Sequence, residues 1–332
     1  MSTLETFLLA DFLGTATWLW LSFLAVVIAL LAFDLGVLHR DEREIGVKES
    51  LMLSAGYISM GLLFSVWVFF QKGGDASMDY LTGFLIEKSL SMDNVFVIAL
   101  IFSFLAIPRR YQHRVLFWGI LGVILLRGLM IGFGAALISS FGWVLYLFAA
   151  FLIFTGIQMW RNAESEYDIA NSAVLKWVKR RFRVTEELHD DRFFVKLPDA
   201  ASGKLATFMT PLFLALIMVE FVDLVFAVDS VPAIFAITTD PFIVYTSNIF
   251  AILGLRALYF ALAAMVHRFH YLKYALAVLL VFIGSKIFLA DFVGFPGGKF
   301  PPEWGLGITF AILGIGVGYS LWKTRGRAPA AG

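Results

Sequence analysis

The 332-residue sequence contains no cysteine. Disulfide bonds, zinc–thiolate sites, iron–sulfur ligation and cysteine nucleophiles are therefore excluded. Charge is also scarce, since Asp, Glu, Lys and Arg make up 15% of the residues and the formal net charge is +1. This balance argues against a nucleic-acid partner. Hydrophobic residues form 60% of the chain, which is far from an ordinary soluble domain and favours a protein embedded in a lipid bilayer.

Apolar segments long enough to cross a membrane recur along the chain when it is scanned with a window of about 19 residues. The nine segments run approximately over residues 17–37, 51–70, 80–105, 115–136, 142–160, 208–236, 243–265, 272–290 and 306–322. We expect the first to remain as a membrane helix, because no Lys or Arg precedes it and its apolar stretch is too long for a signal peptide. The sequence predicts an all-α polytopic membrane protein with about nine transmembrane helices.

Basic residues are abundant and scarce in alternate loops between these segments. One set of loops contains twenty Lys and Arg residues, whereas the other contains only Lys72 and Lys299. Loops rich in Lys and Arg stay on the cytoplasmic side of a membrane. The pattern therefore predicts an inner-membrane protein with a periplasmic N-terminus and a cytoplasmic C-terminus.

Two parts of the chain resemble each other. The matched charged positions are Glu87, Asp93 and Arg127 in the first copy and Asp223, Asp229 and Arg256 in the second. Each copy ends with a Tyr and a Gly ten residues apart, and these glycines are Gly156 and Gly284. Because each copy has three spans, an odd number, the two copies would have opposite orientations in the membrane. Many secondary transporters are built from inverted repeats of this kind, with the binding site where the repeats meet.

The repeat divides the chain into five parts. They are an N-terminal two-helix segment (1–79), the first three-helix repeat (80–160), a cytoplasmic loop (161–207), the second, inverted three-helix repeat (208–290), and the last transmembrane helix with a cytoplasmic tail (291–332). Within the loop, residues 174–183 are typical of an amphipathic helix resting on anionic lipid. Residues 193–203 contain the turn residues of a hairpin. We interpret the loop mainly as a connector between the repeats.

Several ionisable residues are expected at membrane depth. They are Asp34, Glu87, Lys88, Asp93, Arg127, Glu220, Asp223, Asp229, Arg256 and Lys286. A single charge at the centre of a membrane helix costs about 2.5–3.5 kcal/mol to insert, so these side chains must face one another or a wet cavity. Six acids and four bases leave two negative charges, which one divalent cation would neutralise.

Helical geometry constrains the acids of the second repeat. Glu220 and Asp223 are three residues apart and share a helix face, whereas Asp229 lies about half a turn away from that face. Pro232 follows an Asp-Ser pair typical of a helix start. We therefore expect a discontinuous helix broken near residues 226–230, which would free backbone carbonyls to join carboxylates around an ion.

The first repeat would have its break at Asp93 and Asn94. The predicted metal ligands are Glu87, Asp93, Asn94, Glu220, Asp223 and Asp229. Asp34 could be a further ligand or a hydrogen-bond partner in the core. We interpret Arg127, Arg256 and Lys286 as counter-ions that hold the acids in place, and Lys88 could face another way.

Oxygen ligands suit Mg²⁺, Ca²⁺ and Mn²⁺. All five histidines fall in predicted cytoplasmic loops, which disfavours an imidazole-rich zinc or copper site. Met92 and Met218 adjoin the acids and are interpreted as core filler; a sulfur facing the site would instead favour Mn²⁺. No bound cofactor is expected, because the metal would be the transported substrate.

These motifs resemble the TerC/Alx family of integral membrane proteins over nearly the whole chain. The segments that carry the resemblance are residues 87–97, 220–233 and 246–260, together with Asp34. The resemblance implies bacterial Mn²⁺ homeostasis by export, and kinship with small cation exporters built from inverted three-helix repeats. Tellurite resistance, for which the family is also named, does not identify the transported ion.

Two other classes of function compete with transport. A membrane partner protein could deliver metal to secreted enzymes, or scaffold a metal or tellurite resistance complex, without moving ions itself. Protein partners cannot be read from the sequence. An intramembrane enzyme is disfavoured, because the chain has no nucleophile motif and no HExxH-type sequence.

Overall fold

Helices account for nearly all of the regular structure in the computed structural model, which describes residues 3–36, 47–164, 169–198, 204–262, 269, 271–295 and 300–324. The helices are α1 (Thr3–Leu9), α2 (Thr17–Gly36), α3 (Val47–Lys72), α4 (Gly74–Phe104), α5 (Arg109–Ser140), α6 (Val144–Arg161), α7 (Ala173–Arg181), α8 (Pro211–Phe235), α9 (Pro241–Leu253), α10 (Leu255–Leu262), α11 (Leu272–Val293) and α12 (Pro302–Thr324). Two antiparallel hairpins pair β1 (Asp11–Phe12) with β2 (Thr15–Ala16) and β3 (Phe194–Pro198) with β4 (Leu205–Met209).

Within the described residues, every apolar segment predicted from the sequence coincides largely with helix. Six of the described helices, α3, α5, α6, α8, α11 and α12, are long and apolar enough to cross a membrane, and α9 with α10 makes a seventh span if the bent pair counts as one. The chain is therefore an all-α polytopic membrane protein. The count of nine spans stays a prediction, as does the loop charge pattern at Arg268, Lys299 and residues 325–332, which lie outside the described residues.

The expected breaks in the two acidic helices are wrong. α8 continues without interruption through residues 226–230, and α4 continues through Asp93 and Asn94. Pro232 disturbs only the last turn of α8, because the helix ends at Phe235. Ser230 does not cap a helix start, since its hydroxyl accepts a hydrogen bond of 2.8 Å from the side chain of Arg127.

The discontinuity lies instead at Gly254, where α9 and α10 meet at an angle of 40°. The last carbonyls of a helix lack intrahelical partners, and Lys88 donates a hydrogen bond of 2.9 Å to the carbonyl of Ala251. A Cβ atom on Gly254 would stand 2.9 Å from Nζ of Lys88 and 3.0 Å from Cβ of Tyr57. Glycine therefore permits the close approach that satisfies the bend, and Lys88 is a partner of α9.

The helices of the two predicted repeats pack in matching pairs. α4 packs against α9 and α8 packs against α5, while α4 also contacts α8 and α6 packs along α11. α3 covers α4, α9 and α10, and α12 covers α11 and α4. A cluster of aromatic rings joins the N-terminal helices to α9, with the Phe64 and Phe250 centroids 4.6 Å apart.

Contacts between α6 and α11 are reciprocal. A Cβ atom on Gly156 would lie 2.8 Å from the carbonyl oxygen of Ala277, and one on Gly284 would lie 2.5 Å from that of Ala149. Ala149 precedes Gly156 by the seven residues that separate Ala277 from Gly284. Small residues allow membrane helices to approach closely enough for backbone contact, and here each helix supplies the same pair to the other.

Helix α7 and the hairpin of β3 with β4 lie where the sequence predicts an amphipathic helix and a hairpin. Leu175 and Val178 of α7 are buried against the protein core, whereas Trp177 is 60% exposed. The apolar side of this helix is therefore covered by the bundle itself. Its lysines and arginines remain exposed on the other side.

We expect Gly284→Ala to lower the free energy of unfolding by about 1–3 kcal/mol, because the new methyl group would overpack a backbone contact. Gly314→Ala on α12 is the matched control, since a Cβ atom there would meet nothing within 4 Å. That control should be neutral or stabilising by about 0.5–1 kcal/mol. Thermal unfolding of both variants in detergent measures the difference, and equal midpoints would contradict the close packing of α6 and α11.

Candidate functional site

Arg127 of α5 is fully buried and connects to carboxylates on two other helices. Its Nη1 lies 2.6 Å from Oε1 of Glu87 on α4, and its Nη2 lies 3.1 Å from Oδ1 of Asp223 on α8. Glu87 is completely buried and Asp223 is 5% exposed. Buried charges of this kind persist only when they are paired, so this triad holds α4, α5 and α8 together.

Polar side chains complete the coordination of the triad. Nη1 of Arg127 donates to Ser230 Oγ at 2.8 Å and to Asn248 Oδ1 on α9 at 2.6 Å. Asn94 on α4 donates to Oδ1 of Asp223 at 3.4 Å. We call this group the arginine cluster, and its members are Glu87, Asn94, Arg127, Asp223, Ser230 and Asn248.

Asn248, like Ser230, is a member that sequence reasoning missed as a site residue. It follows Thr246 and Ser247 in an otherwise apolar helix, and all three side chains are fully buried. A run of three polar residues at membrane depth requires internal hydrogen-bond partners. This run of polar residues could have identified Asn248 from the sequence. The side chain is needed there because its oxygen accepts a hydrogen bond from Arg127.

Several oxygen atoms of the arginine cluster lack a hydrogen bond. Among the described residues, Oε1 and Oε2 of Glu87 and Oδ1 of Asn94 are buried without one, although Oε1 of Glu87 is ion-paired with Arg127. A buried acceptor left unsatisfied costs about 1–3 kcal/mol, so these oxygens favour a bound cation or a hydrogen-bond donor.

A small cavity of about 20 Å³ adjoins the cluster. Its polar wall is formed by Asn94, Asp223 and Arg256, and Gly119 and Val222 contribute to its apolar wall. A volume of this size holds about one water molecule or one bare ion. Arg256 is 4% exposed, and its place on this wall is compatible with the predicted role of a counter-ion.

Glu220 shares a face of α8 with Asp223, and it lies against Gly119 and Gly122 of α5. A Cβ atom on Gly122 would collide with the Glu220 carboxyl group, and one on Gly119 would lie 3.9 Å from its Oε1. The glycines therefore make the space that this carboxylate occupies. Its Oε2 is buried without a hydrogen bond to the described residues, and Gly119 also lines the small cavity.

Asp93 and Asp229 lie apart from the arginine cluster. Asp93 lines a different cavity, together with Lys273, and half-buried Asp229 makes no hydrogen bond or ion pair with the described residues. The described part of the chain contains no group of three or more His, Asp or Glu residues close enough to hold a metal ion. The expectation that all five acids converge on one point is therefore not met in this structure.

The unbroken helices explain this separation. Residues six positions apart on a continuous helix are rotated by about 600° in total, which leaves them about 120° from each other around the axis. Glu87 and Asp93 on α4, like Asp223 and Asp229 on α8, cannot then face the same point. Only the first acid of each pair reaches Arg127.

The remaining predicted residues lie elsewhere. Lys286 of α11 is buried, and its Nζ lies 4.0 Å from the position of a Cβ atom on Gly305 in α12. Met218 is 2% exposed in the hydrophobic core and Met92 packs against that core, as expected of filler. The side chain of Asp34 lies outside the described residues.

Comparison with known proteins yields one family and many close relatives. Residues 72–328, well over half of the chain, match the family described as "Integral membrane protein TerC family". An uncharacterized membrane protein of Rickettsia bellii is 47% identical over 298 residues, which cover 90% of this chain and 95% of that protein. An uncharacterized membrane protein of Myxococcus xanthus is 46% identical over 308 residues, covering 92% and 93% of the two chains.

A protein of Escherichia coli K12 is 46% identical over 304 residues, covering 89% of this chain and 91% of that relative, and bears the name "Putative membrane-bound redox modulator Alx". No solved structure matches the chain significantly. The family match extends from the end of α3 to beyond α12 and includes every residue of the arginine cluster. The chain belongs to the TerC family of integral membrane proteins.

Proposed function

We propose that this protein transports divalent metal ions across the bacterial inner membrane, and that its substrate is Mn²⁺ exported from the cytoplasm. The observation that carries the proposal is the set of buried oxygen atoms around Arg127 that lack hydrogen bonds. Intramembrane ionisable residues commonly mark ion pathways. Here they meet at the contact between the two predicted repeats, where secondary transporters place their substrate site.

Charge supports a cation as the ligand. Asp223 and Arg256 line the small cavity, Glu87 and Asp223 pair with Arg127, and Glu220 adjoins Gly119 on the cavity wall, so three acids are grouped with two arginines. Arg127 holds the acids in the absence of metal, and a divalent cation entering the small cavity would take oxygens of Asp223, Asn94 and Glu220. The arginine then serves as an internal counter-ion that keeps the empty site from carrying unpaired buried charge.

Ligand chemistry supports the choice of metal. The arginine cluster offers carboxylate, amide and hydroxyl oxygens and contains no imidazole or sulfur. Hard and borderline ions such as Mg²⁺, Ca²⁺ and Mn²⁺ prefer oxygen donors, whereas copper and zinc favour nitrogen and sulfur. The family resemblance selects Mn²⁺ within that group.

The membrane arrangement belongs to the same proposal. The reciprocal contacts at Gly156 and Gly284 support a two-fold relation between residues 80–160 and 208–290, because related surfaces exchange the same pairs of residues. Nine spans, a periplasmic N-terminus and a cytoplasmic C-terminus then make these units inverted repeats. The exposed basic side of α7 suits the cytoplasmic leaflet, where anionic lipids attract Lys and Arg.

The alternative is a membrane partner that binds metal and delivers it to secreted enzymes, or scaffolds a resistance complex, without net transport. The name of the E. coli relative refers to a redox role. For this chain, such a role would be a form of the non-transporting alternative. Thiol–disulfide exchange at cysteines of this chain is excluded, because the sequence has none. This alternative would use the same oxygen ligands to hold the metal. It would not require the site to be accessible from both sides of the membrane.

The purified protein in liposomes should carry Mn²⁺ across the bilayer. External Ca²⁺ and Mg²⁺ should compete with this flux, and Zn²⁺ and Cu²⁺ should compete weakly, because the site contains oxygen donors alone. Metal-sensitive dye trapped inside the vesicles measures the flux. Mn²⁺ binding without flux would favour the metal-delivery alternative, and transport of Zn²⁺ in preference to Mn²⁺ would contradict the oxygen site.

Neutralising one acid of the arginine cluster, or the neighbouring Glu220, should sharply reduce transport without preventing membrane insertion. Glu87→Gln, Glu220→Gln and Asp223→Asn each keep the side-chain volume and remove one metal-binding charge, so Mn²⁺ flux should fall by about tenfold or more, equivalent to about 1.4 kcal/mol. Asp75→Asn on α4 is the matched control, since Asp75 is exposed, and should retain full flux. Flux equal to that of the control in all three variants would eliminate the site.

Removing Arg127 should affect stability as well as transport. Arg127→Met leaves two buried carboxylates without their cation, which should cost about 3–5 kcal/mol of folding free energy. The triple variant Arg127→Met, Glu87→Gln, Asp223→Asn removes all three charges and should recover most of the folded yield while remaining inactive. Size-exclusion profiles in detergent report the yield. A single variant as stable as the triple one would show that the ion pairs are not needed.

A further inference from the structure

A second, larger cavity lies between the ends of α6 and α11 and the middle of α4 and α8. Its volume is about 270 Å³. Its polar lining residues are Asp93, Asn162 and Lys273, and the rest of its lining is apolar and includes Phe96, Met159 and Val222. Asn162 caps the C-terminal end of α6 and Lys273 is the second residue of α11. Both ends are cytoplasmic in the proposed topology, so the cavity extends from beside the arginine cluster toward that side.

A lysine already provides a positive charge in this cavity. Nζ of Lys273 lies 5.2 Å from the centroid of the Phe96 ring, at a cation–π distance. Phe96 follows Asp93 by three residues, and the two share one face of α4. Lys273 and Asp93 line the same space, so the ammonium group occupies surroundings that would also attract a metal cation.

The two cavities share one wall. Val222 lines both of them and is 4% exposed. The larger cavity has Asp93 on its side of this wall, and the smaller one has Asn94 and Asp223. On α4, Asp93 lines the larger cavity and the next residue, Asn94, lines the smaller one. On α8, Val222 lines both cavities and the next residue, Asp223, lines the smaller one.

We propose that the larger cavity is the cytoplasmic vestibule through which a divalent cation reaches the arginine cluster, an inference that rests on the proposed function. Asp93 captures the cation, and Asn162 and Met159 offer an amide oxygen and a thioether beside it. Lys273 is a tethered competitor that the cation displaces. Val222 is the barrier that must move before the cation can pass from Asp93 to Asn94 and Asp223.

The volumes agree with a stepwise loss of water. A cavity of about 270 Å³ accommodates an ion with several of its waters, because one water needs about 10–15 Å³ of such space or a little more. The small cavity, at about 20 Å³, accommodates about one bare ion. The cation therefore exchanges water for protein oxygens between the two compartments. This step explains why Asp93 is separate from the arginine cluster.

The absence of cysteine permits a direct test with single-cysteine variants. Asn162→Cys places a thiol in the vestibule, and exposed Asn171→Cys is the matched control on the same side but outside the cavity. A charged methanethiosulfonate reagent should label both from the cytoplasmic face of membrane vesicles. Saturating Mn²⁺ should slow labelling of Asn162→Cys by about tenfold and leave the control unchanged. Labelling only from the periplasmic face, or equal rates with and without Mn²⁺, would overturn the vestibule.

Flux measurements with Lys273 variants provide an independent readout. Lys273→Met removes the competitor, so the KM for cytoplasmic Mn²⁺ should fall by about tenfold, equivalent to about 1.4 kcal/mol, while Lys273→Arg should keep the original KM. An unchanged KM in Lys273→Met would reject the tethered cation. If wild-type liposomes show no flux, the proposed function fails; if they show flux but Mn²⁺ does not protect Asn162→Cys, only the vestibule fails.

Discussion

The pairing of Arg127 with Glu87 and Asp223 is the interaction on which the rest of the bundle depends. All three charges are buried, and in a low-dielectric interior the loss of one partner leaves an uncompensated charge that costs several kcal/mol. Because the three residues belong to α4, α5 and α8, these helices cannot rotate or slide independently. Asn248 extends the same constraint to α9 through its hydrogen bond to Arg127.

Close packing of glycines gives the bundle its second constraint. Gly156 and Gly284 bring α6 and α11 into backbone contact, and the glycines of α5 make room for the carboxyl group of Glu220. In lipid the hydrophobic effect contributes little to helix association, so small residues and buried polar contacts take its place. Packing and charge pairing together keep a polar interior at membrane depth, which is where a transporter needs its substrate site.

The two cavities, one small beside the arginine cluster and one large between the ends of α6 and α11, separate acids that looked equivalent in the sequence. Asp223 and Asp93 both adjoin Val222 in space, yet they line opposite sides of it. Of the four paired acids, Asp93 lines the large cavity and Asp223 the small one, while Glu87 is held by its ion pair with Arg127.

The helical segments, the membrane class, the family and the importance of the buried charges could be predicted from the sequence, because hydropathy and helical periodicity are local properties. The short helix and the hairpin of the loop could be predicted for the same reason, because their patterns are also local in the sequence. The break expected near residues 226–230 was not found, since Ser230 bonds to Arg127 on another helix and the bend lies at Gly254. Which acids meet, which cavity Asp93 lines and why Asn248 is buried depend on the relative rotation of helices more than 100 residues apart. Only tertiary packing sets that rotation, because it is decided by contacts at residues such as Gly122, Gly156 and Gly284 and not by the pattern within any one helix.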